Sequence, residues 1–254
     1  MDEKKKKSSA LNRIGTILFL SIFVFSSYKL GMTFWDYYNN RQVMAEAQDV
    51  YYEADMVEED ADGIRSQFAS LLEINKDIVG WITVDGTVID YPIVQAVDNE
   101  YYLNRSYKHE ETRAGSIFMD YRNNVENNNR HFILYGHRMR DGSMFTQLNQ
   151  YTDEEFFHSH PIFYFDTLYE GYDVEVFSAY ITTTDFYYIE TDFPSDSEYQ
   201  SFIERIKEKS LYESDVTIEA TDQIITLSTC DYTLDRDTGR LVVHGKLKER
   251  SSIQ

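Results

Sequence analysis

The chain has 254 residues, is 42% hydrophobic, carries a net charge of −20 and contains one cysteine. That length suits one domain of ordinary size plus an appendage, with enough apolar content for a core. The acidic balance argues against nucleic acid as a partner, because phosphate binding needs a basic surface. A lone cysteine excludes an intrachain disulfide framework.

Residues 4–7 are four lysines, and Arg13 follows. Residues 14–28 then form an apolar run free of charge, which extends from Leu30 to Trp35 if Lys29 snorkels. Trp35, Tyr37 and Tyr38 suit an aromatic belt at the outer face. A basic flank before such a run fits a secretory signal or a membrane anchor. With no clean A-x-A cleavage site, the sequence favours an uncleaved anchor; a buried soluble helix would leave the lysines without a role. By the positive-inside rule, residues 1–13 are a basic cytoplasmic tail. Residues 14–35 are a single-pass transmembrane signal-anchor, and the chain after about residue 36 lies outside the cell membrane.

Residues 36–75 are acidic and helix-compatible. Ala45, Ala47, Tyr51, Ala54 and Met56 keep too much polar company for a strong core stripe. Phe68, Leu71 and Leu72, at i, i+3 and i+4, form a docking face. The segment reads as a stalk leading into one or two short helices packed on the body, which spans residues 76–254.

In the body the pattern changes to strands and turns. Residues 81–84 and 87–90 around Asp85-Gly86 predict a hairpin. Residues 116–119 and 132–135 predict strands on either side of an Asn-rich loop, 123–129. Residues 172–177 alternate in period two, and 178–184 extend them. Ser195 with Glu198 resembles a capping box. Tyr199, Phe202, Ile203 and Ile206 follow on one helical face. A shorter helix is expected over 143–150, and final strands over 218–229 and 240–248. Many short strands with few helices imply a mixed, mainly β sheet closed into a barrel. There is no internal repeat.

Three chemically able residues sit at strand edges. Residues 224–230 are an apolar, β-branched run ending in Cys230. His137 follows the strand at 132–135 and Gly136, and Arg240 opens the last strand. Attacker, proton carrier and cation are what nucleophilic acyl transfer requires. Read singly, each has a plainer meaning: a small buried hydrophobe, a turn residue, a solvated charge. Other candidates rank lower. His158 and His160, if they share a strand face, lack a convincing third ligand and read as surface residues, so no metal is expected. Asp235-Arg236-Asp237-Thr238-Gly239 resembles the start of a calcium loop but lacks the downstream Glu, and reads as a turn. His244 shares a strand face with Arg240 by even spacing and is a rival base.

Tyr135-Gly136-His137, Thr226-Leu227-Ser228-Thr229-Cys230 and Arg240-Leu241-Val242-Val243-His244 resemble the signature blocks of class B sortases. The resemblance covers residues 75–248. It includes Asp77-Ile78-Val79-Gly80-Trp81-Ile82, Asp90-Tyr91-Pro92-Ile93, Asp98-Asn99-Glu100-Tyr101-Tyr102-Leu103, Gly115-Ser116-Ile117-Phe118-Met119-Asp120 and Ser143-Met144-Phe145. It implies an eight-stranded β-barrel with peripheral helices and an N-terminal helical extension. It also implies a catalytic trio of His137, Cys230 and Arg240, and no cofactor. Asn99, Leu103, Thr184, Tyr188, Ile189 and Ser228 match class B substrate-groove positions. The resemblance further implies the reaction: cleavage of an Asn-Pro-x-Thr sorting signal on secreted proteins, and their joining to an amino group of a lipid-linked peptidoglycan precursor. Arg138 departs from the uncharged residue of many relatives, which bears on substrate preference. Two other functions compete: a membrane-tethered cysteine peptidase that releases proteins with the same residues, and a non-catalytic surface-binding module with Cys230 a packing residue. Papain-type enzymes are disfavoured, because their Cys precedes their His.

Overall fold

The computed structural model describes residues 2–53, 63–126 and 129–250. Residues 54–62 of the expected stalk, Ala54 and Met56 among them, lie outside the described residues, as do residues 127–128 of the Asn-rich loop. The chain divides into two compact units, Met1–Arg41 and Gln42–Gln254. The first is helical, the leading part of α1 (Asp2–Glu53). Its side chains from Ile14 to Trp35 are mostly exposed, and the helix is long and apolar enough to cross a membrane. At 1.5 Å per residue, a span of residues 14–35 is about 33 Å long, close to a bilayer's hydrocarbon thickness.

The second unit is a closed barrel of eight strands. These are β1 (Ile78–Thr83), β2 (Asp90–Val94), β3 (Ile117–Met119), β4 (His131–Tyr135), β5 (Ile162–Thr167), β6 (Gly171–Thr183), β7 (Ile224–Cys230) and β8 (Gly239–Glu249). Their order round the barrel is β1-β2-β3-β4-β7-β8-β6-β5. Closure leaves no unpaired edge to template aggregation. Two joins are parallel, β2 with β3 and β4 with β7. The latter brings two distant segments level, with Tyr135 opposite Ser228. Helix α2 (Ala69–Ile74) precedes β1 in the chain, α3 (Glu154–Ser159) lies between β4 and β5, and α4 (Asp196–Glu208) between β6 and β7.

Several elements differ from the sequence expectation. The hairpin forms, but β2 starts at Asp90, not 87. The Asp85-Gly86 turn is closed by Thr87 N–H to Val84 O (3.2 Å) and Val84 N–H to Ile89 O (2.8 Å), so Thr83 pairs with Asp90. β7 starts at Ile224, because residues 219–222 form a turn closed by Asp222 N–H to Glu219 O (3.0 Å). The helix after His137 is 3-10, over Phe145–Thr152. β5 was not expected: its leading Ile162, Phe163, Tyr164 and Phe165 have no polar alternation to mark a strand. His158 is on α3 and His160 caps it, so they share no strand face. The end of α1 also packs more closely than its composition suggests. Val43, Met44, Ala47 and Tyr51 are buried, and the Tyr51 ring stacks on Trp81 at 4.1 Å. Met44 and Ala47 are three residues apart and Ala47 and Tyr51 four, one face of the helix, but the stripe is too short to stand out in the sequence.

The α4 prediction holds. Ser195 caps it, its side chain accepting from Glu198 N–H (3.3 Å). Tyr199, Phe202, Ile203 and Ile206 are its buried face. That face builds a second apolar cluster with Phe177, Tyr180, Tyr188, Ile224 and Val242, while Ile225, Leu227, Leu241 and Val243 belong to the main core. Successive side chains on a strand point to opposite faces. The even-numbered residues of β7 and β8 therefore face α4 and the segment before it, and Cys230 and Arg240 are even-numbered.

Candidate active site

Cys230 and Arg240 are cross-strand partners at the ends of β7 and β8. The parallel ladder of β4 on β7 ends with Tyr135 opposite Ser228, where Gly136 N–H donates to Ser228 O (3.2 Å). His137 follows two residues after Tyr135, as Cys230 follows two residues after Ser228. Gly136 is required there: a Cβ would come within 2.5 Å of Ile117 Cδ1 and 2.7 Å of Phe145 Cδ2. The three residues expected to act together are thus delivered to one end of three neighbouring strands. Cys230, His137 and Arg240 are each partly exposed.

Each polar side chain is oriented. His137 Nε2 donates to the carbonyl of Leu103 (2.7 Å). A carbonyl only accepts, so Nε2 carries a proton, which in the neutral ring leaves the lone pair on Nδ1. That carbonyl is held close by Gly115 (φ +59°), where a Cβ would lie 2.5 Å from Leu103 O. Arg240 Nη1 donates to the carbonyls of Gly239 (2.8 Å) and Asp237 (3.2 Å). Its Nε and Nη2 have no protein partner among the described residues. The turn beneath is built on Asp235, whose Oδ1 accepts from Asp237 N–H (2.9 Å), Thr238 N–H (2.7 Å) and Thr238 Oγ1 (2.7 Å). The calcium-like sequence therefore serves as a turn before Arg240. Among the described residues, no group of three or more His, Cys, Asp or Glu side chains could hold a metal ion.

The groove candidates divide. Ser228 is buried two residues before Cys230, and its Oγ lies 2.9 Å from the Tyr188 hydroxyl. Burial raises the Tyr188 phenol above its ordinary range; the Ser228 hydrogen bond and the Arg240 charge pull the other way, and Cys230 adds to the rise. Tyr188 therefore sits within electrostatic reach of both. Ile189 is half-buried beside it, and Leu103 is half-buried on the His137 side. Thr184 is exposed, its N–H bound to Thr238 O (3.0 Å) next to the Arg240 turn. Asn99 is already engaged: Nδ2 donates to Asp120 Oδ2 (3.0 Å) and Oδ1 accepts from Tyr121 N–H (3.0 Å).

His244 is not available as a base. It is fully buried, with Nδ1 2.6 Å from Thr226 Oγ1 and Nε2 2.8 Å from the Tyr180 hydroxyl. Thr226 Oγ1 also lies 2.5 Å from His131 Nε2, and His131 Nδ1 lies 2.6 Å from Glu190 O. The terminal carbonyl fixes every proton. His131 donates from Nδ1 to Glu190 O, so its Nε2 accepts from Thr226. The Thr226 oxygen then accepts from His244 Nδ1, and His244 Nε2 accepts from Tyr180. Every link is satisfied with both imidazoles neutral, and burial pushes the His131 pKa down to about 4 and that of His244 well below 6.5. The shared strand face with Arg240 is correct; the depth is what sequence spacing does not reveal.

Sequence reasoning also missed an ion pair beside the thiol. Arg138 Nη1 bonds Asp231 Oδ2, joining the residues that follow His137 and Cys230. Burial would raise the Asp231 pKa, but hydrogen bonds from Thr233 and the Arg138 guanidinium hold it below the usual carboxylate range. Opposite charges at matching i+1 positions were the available signal. A recess of about 1040 Å³ lined by Phe157, His158, Tyr212 and Lys246 involves none of these residues.

A closed eight-stranded barrel thus carries a thiol, an imidazole and a guanidinium at the ends of three neighbouring strands. The sortase domain family matches residues 82–248, and the chain belongs to that family. Within it, the likeness is to sortase B. The chain is 44% identical to sortase B of Listeria monocytogenes over 243 residues, covering 95% of this chain and 98% of that protein. The sortase B crystal structure from B. anthracis has a TM-score of 0.79 and 62% identity, over 85% of this chain and 100% of the other. The Staphylococcus aureus sortase B–substrate complex has a TM-score of 0.77 and 42% identity, over 84% and 98%. The chain is accordingly a cysteine transpeptidase of cell-wall anchoring, acting on surface proteins and a cell-wall precursor.

Proposed function

We propose that Cys230 is the nucleophile, His137 the proton carrier and Arg240 the cation that meets the reacting carbonyl oxygen. The observation carrying this is the register: Arg240 is the cross-strand partner of Cys230, and His137 lies two residues beyond Tyr135, whose partner Ser228 lies two residues before Cys230. A free thiol with pKa about 8.5 is only a few per cent thiolate at neutral pH. In this reading the lone pair on His137 Nδ1 takes the thiol proton. The sulfur then attacks the carbonyl carbon of the substrate, and negative charge grows on the oxygen, where the unpartnered Arg240 donors meet it. The C–N bond breaks as the leaving amine takes the proton from His137, leaving a thioester on Cys230. An incoming amine attacks that thioester, its proton passes to His137, and the sulfur leaves as thiolate.

Leu103, Thr184, Tyr188, Ile189 and Ser228 line the peptide's approach in this reading, with an apolar floor, an aromatic wall and a few polar partners. Asn99 joins them as a polar partner, its side chain held by Asp120 and Tyr121 N–H. The substrate is a secreted protein bearing an Asn-Pro-x-Thr sorting signal, and the acceptor is an amino group of a lipid-linked peptidoglycan precursor. Residues 14–35 anchor the enzyme in the cytoplasmic membrane in a single pass, with residues 1–13 inside and the catalytic domain from residue 76 outside, beyond the 36–75 stalk. Both substrates are then met at the membrane surface. The test is product analysis of an Asn-Pro-x-Thr peptide with and without an added amine. Amine-linked product that outweighs hydrolysis supports transfer; hydrolysis unaffected by amine would make the protein a releasing peptidase.

A further inference from the structure

The segment between β6 and α4 carries Tyr188 and Ile189, yet it has no regular secondary structure of its own. Its position is set by side chains from the turn after β3 and from the start of β4. Arg122 Nη2 donates to Ile189 O (2.9 Å), and Nη1 reaches the Tyr187 hydroxyl (3.3 Å). The same guanidinium is gripped by Asp120, with Nε on Oδ1 (2.8 Å) and Nη2 on Oδ2 (2.8 Å). Asp120 is fully buried and also accepts from the Tyr135 hydroxyl (2.8 Å) and Asn99 Nδ2 (3.0 Å). One residue on, His131 Nδ1 donates to Glu190 O at 2.6 Å. Successive carbonyls of one loop are therefore pinned by two unrelated side chains, and neither pin touches the proposed catalytic residues.

We infer that Arg122 and His131 are positioning residues, which hold the 187–190 segment as a preformed wall for the substrate peptide. This rests on the reading of Tyr188 and Ile189 as substrate-lining. Asp120 fixes the guanidinium as a planar fork, so that one Nη2 both completes the carboxylate pair and reaches the loop carbonyl. A loop without its own ladder samples other conformations when such a bond is lost. If only a tenth of molecules then hold the binding-competent form, apparent affinity falls about tenfold, while the chemistry in bound complexes is unchanged.

The experiment uses full-length enzyme in detergent and an Asn-Pro-x-Thr peptide. Arg122→Lys keeps the charge beside Asp120 and loses the fork. The expected result is a KM raised about tenfold with kcat within about twofold. Alkylation of Cys230 by iodoacetamide, which is too small to need the wall, should keep its rate. Amide hydrogen exchange should rise in residues 184–192 and stay unchanged in β7 and β8. A purely structural loss would instead lower the alkylation-competent fraction and speed exchange throughout the barrel. Ile189→Ala is run in parallel. A raised KM in Ile189→Ala with normal KM in Arg122→Lys would overturn the clamp and leave the wall reading standing. Normal KM in Ile189→Ala would overturn the wall reading itself.

Discussion

Acid should loosen this fold well before its carboxylates titrate, because two histidines are stored neutral. In the folded protein His131 ionises only near pH 4, and His244 lies well below its ordinary 6.5, both through burial. In the unfolded chain both revert to about 6.5. Below that value the unfolded state binds more protons than the native state, so stability falls as pH falls. The contribution is complete above about pH 6.5 and is lost progressively toward pH 4. Between pH 7 and pH 5.5, each histidine that stays neutral when folded costs about 1.2 kcal/mol, or about 2.4 kcal/mol for the pair. That is a large share of a stability of roughly 5–15 kcal/mol. Urea unfolding at the two pH values measures the loss, and the His131→Gln variant should show a shallower pH slope. Ring-proton NMR gives the direct check. His131 and His244 resonances that titrate near pH 6.5 in the folded protein would refute the reasoning.

Other substitutions separate chemistry from packing. Cys230→Ala should abolish peptide cleavage and thioester capture with an unchanged circular dichroism spectrum, and His137→Ala should lower turnover by roughly 10²–10⁴-fold; normal turnover in either would remove that residue from the mechanism. Arg240→Lys should fall close to Arg240→Ala, each losing roughly two to three orders of magnitude in rate, since lysine keeps the charge but loses the fork. Steady-state kinetics on a sorting-signal peptide decides this, and a near-wild-type Arg240→Ala would leave a Cys–His pair alone. Deleting residues 1–35 should give a soluble protein with a similar peptide turnover; recovery of the full-length chain from the medium rather than the membrane fraction would refute the anchor.

What could be read from the sequence was whatever lies within one element. The run ending in Cys230, the Arg240 strand and the capped α4 carry their signals in consecutive or periodic residues. The strand ends then coincide because β4 and β7 pair in parallel, which no local pattern states. β5 escaped notice because its apolar residues do not alternate, and the end of α1 because its buried stripe is brief. Asn99 matches a class B groove position by resemblance, and the folded chain adds what no spacing shows, that its amide is bonded to Asp120 and Tyr121. The Arg122 and His131 contacts with residues 189 and 190 bridge more than fifty positions. Such pairs have no spacing to detect, and only the folded backbone brings them together.

The histidines show how position along a strand, rather than residue type, assigns the work. His131 begins β4 and His137 lies just past its end. On β8, His244 and Arg240 share a face, four residues apart. In both strands the α4-covered part encloses its imidazole: His131 and His244 are fully buried, bonded at both ring nitrogens and held neutral. Beyond that cover the same strands release His137 and Arg240 to partial exposure. β7 follows the same gradient, with Thr226 fully buried, Ser228 3% exposed and Cys230 partly open. A thiol two residues earlier would sit beneath Tyr188, where the hydroxyl of Ser228 already bonds it. Burial there would raise a thiol's pKa and close it to a peptide. The cover over the strands thus sets where on β7 a nucleophile can stand, and Cys230 is the first even-numbered position past it.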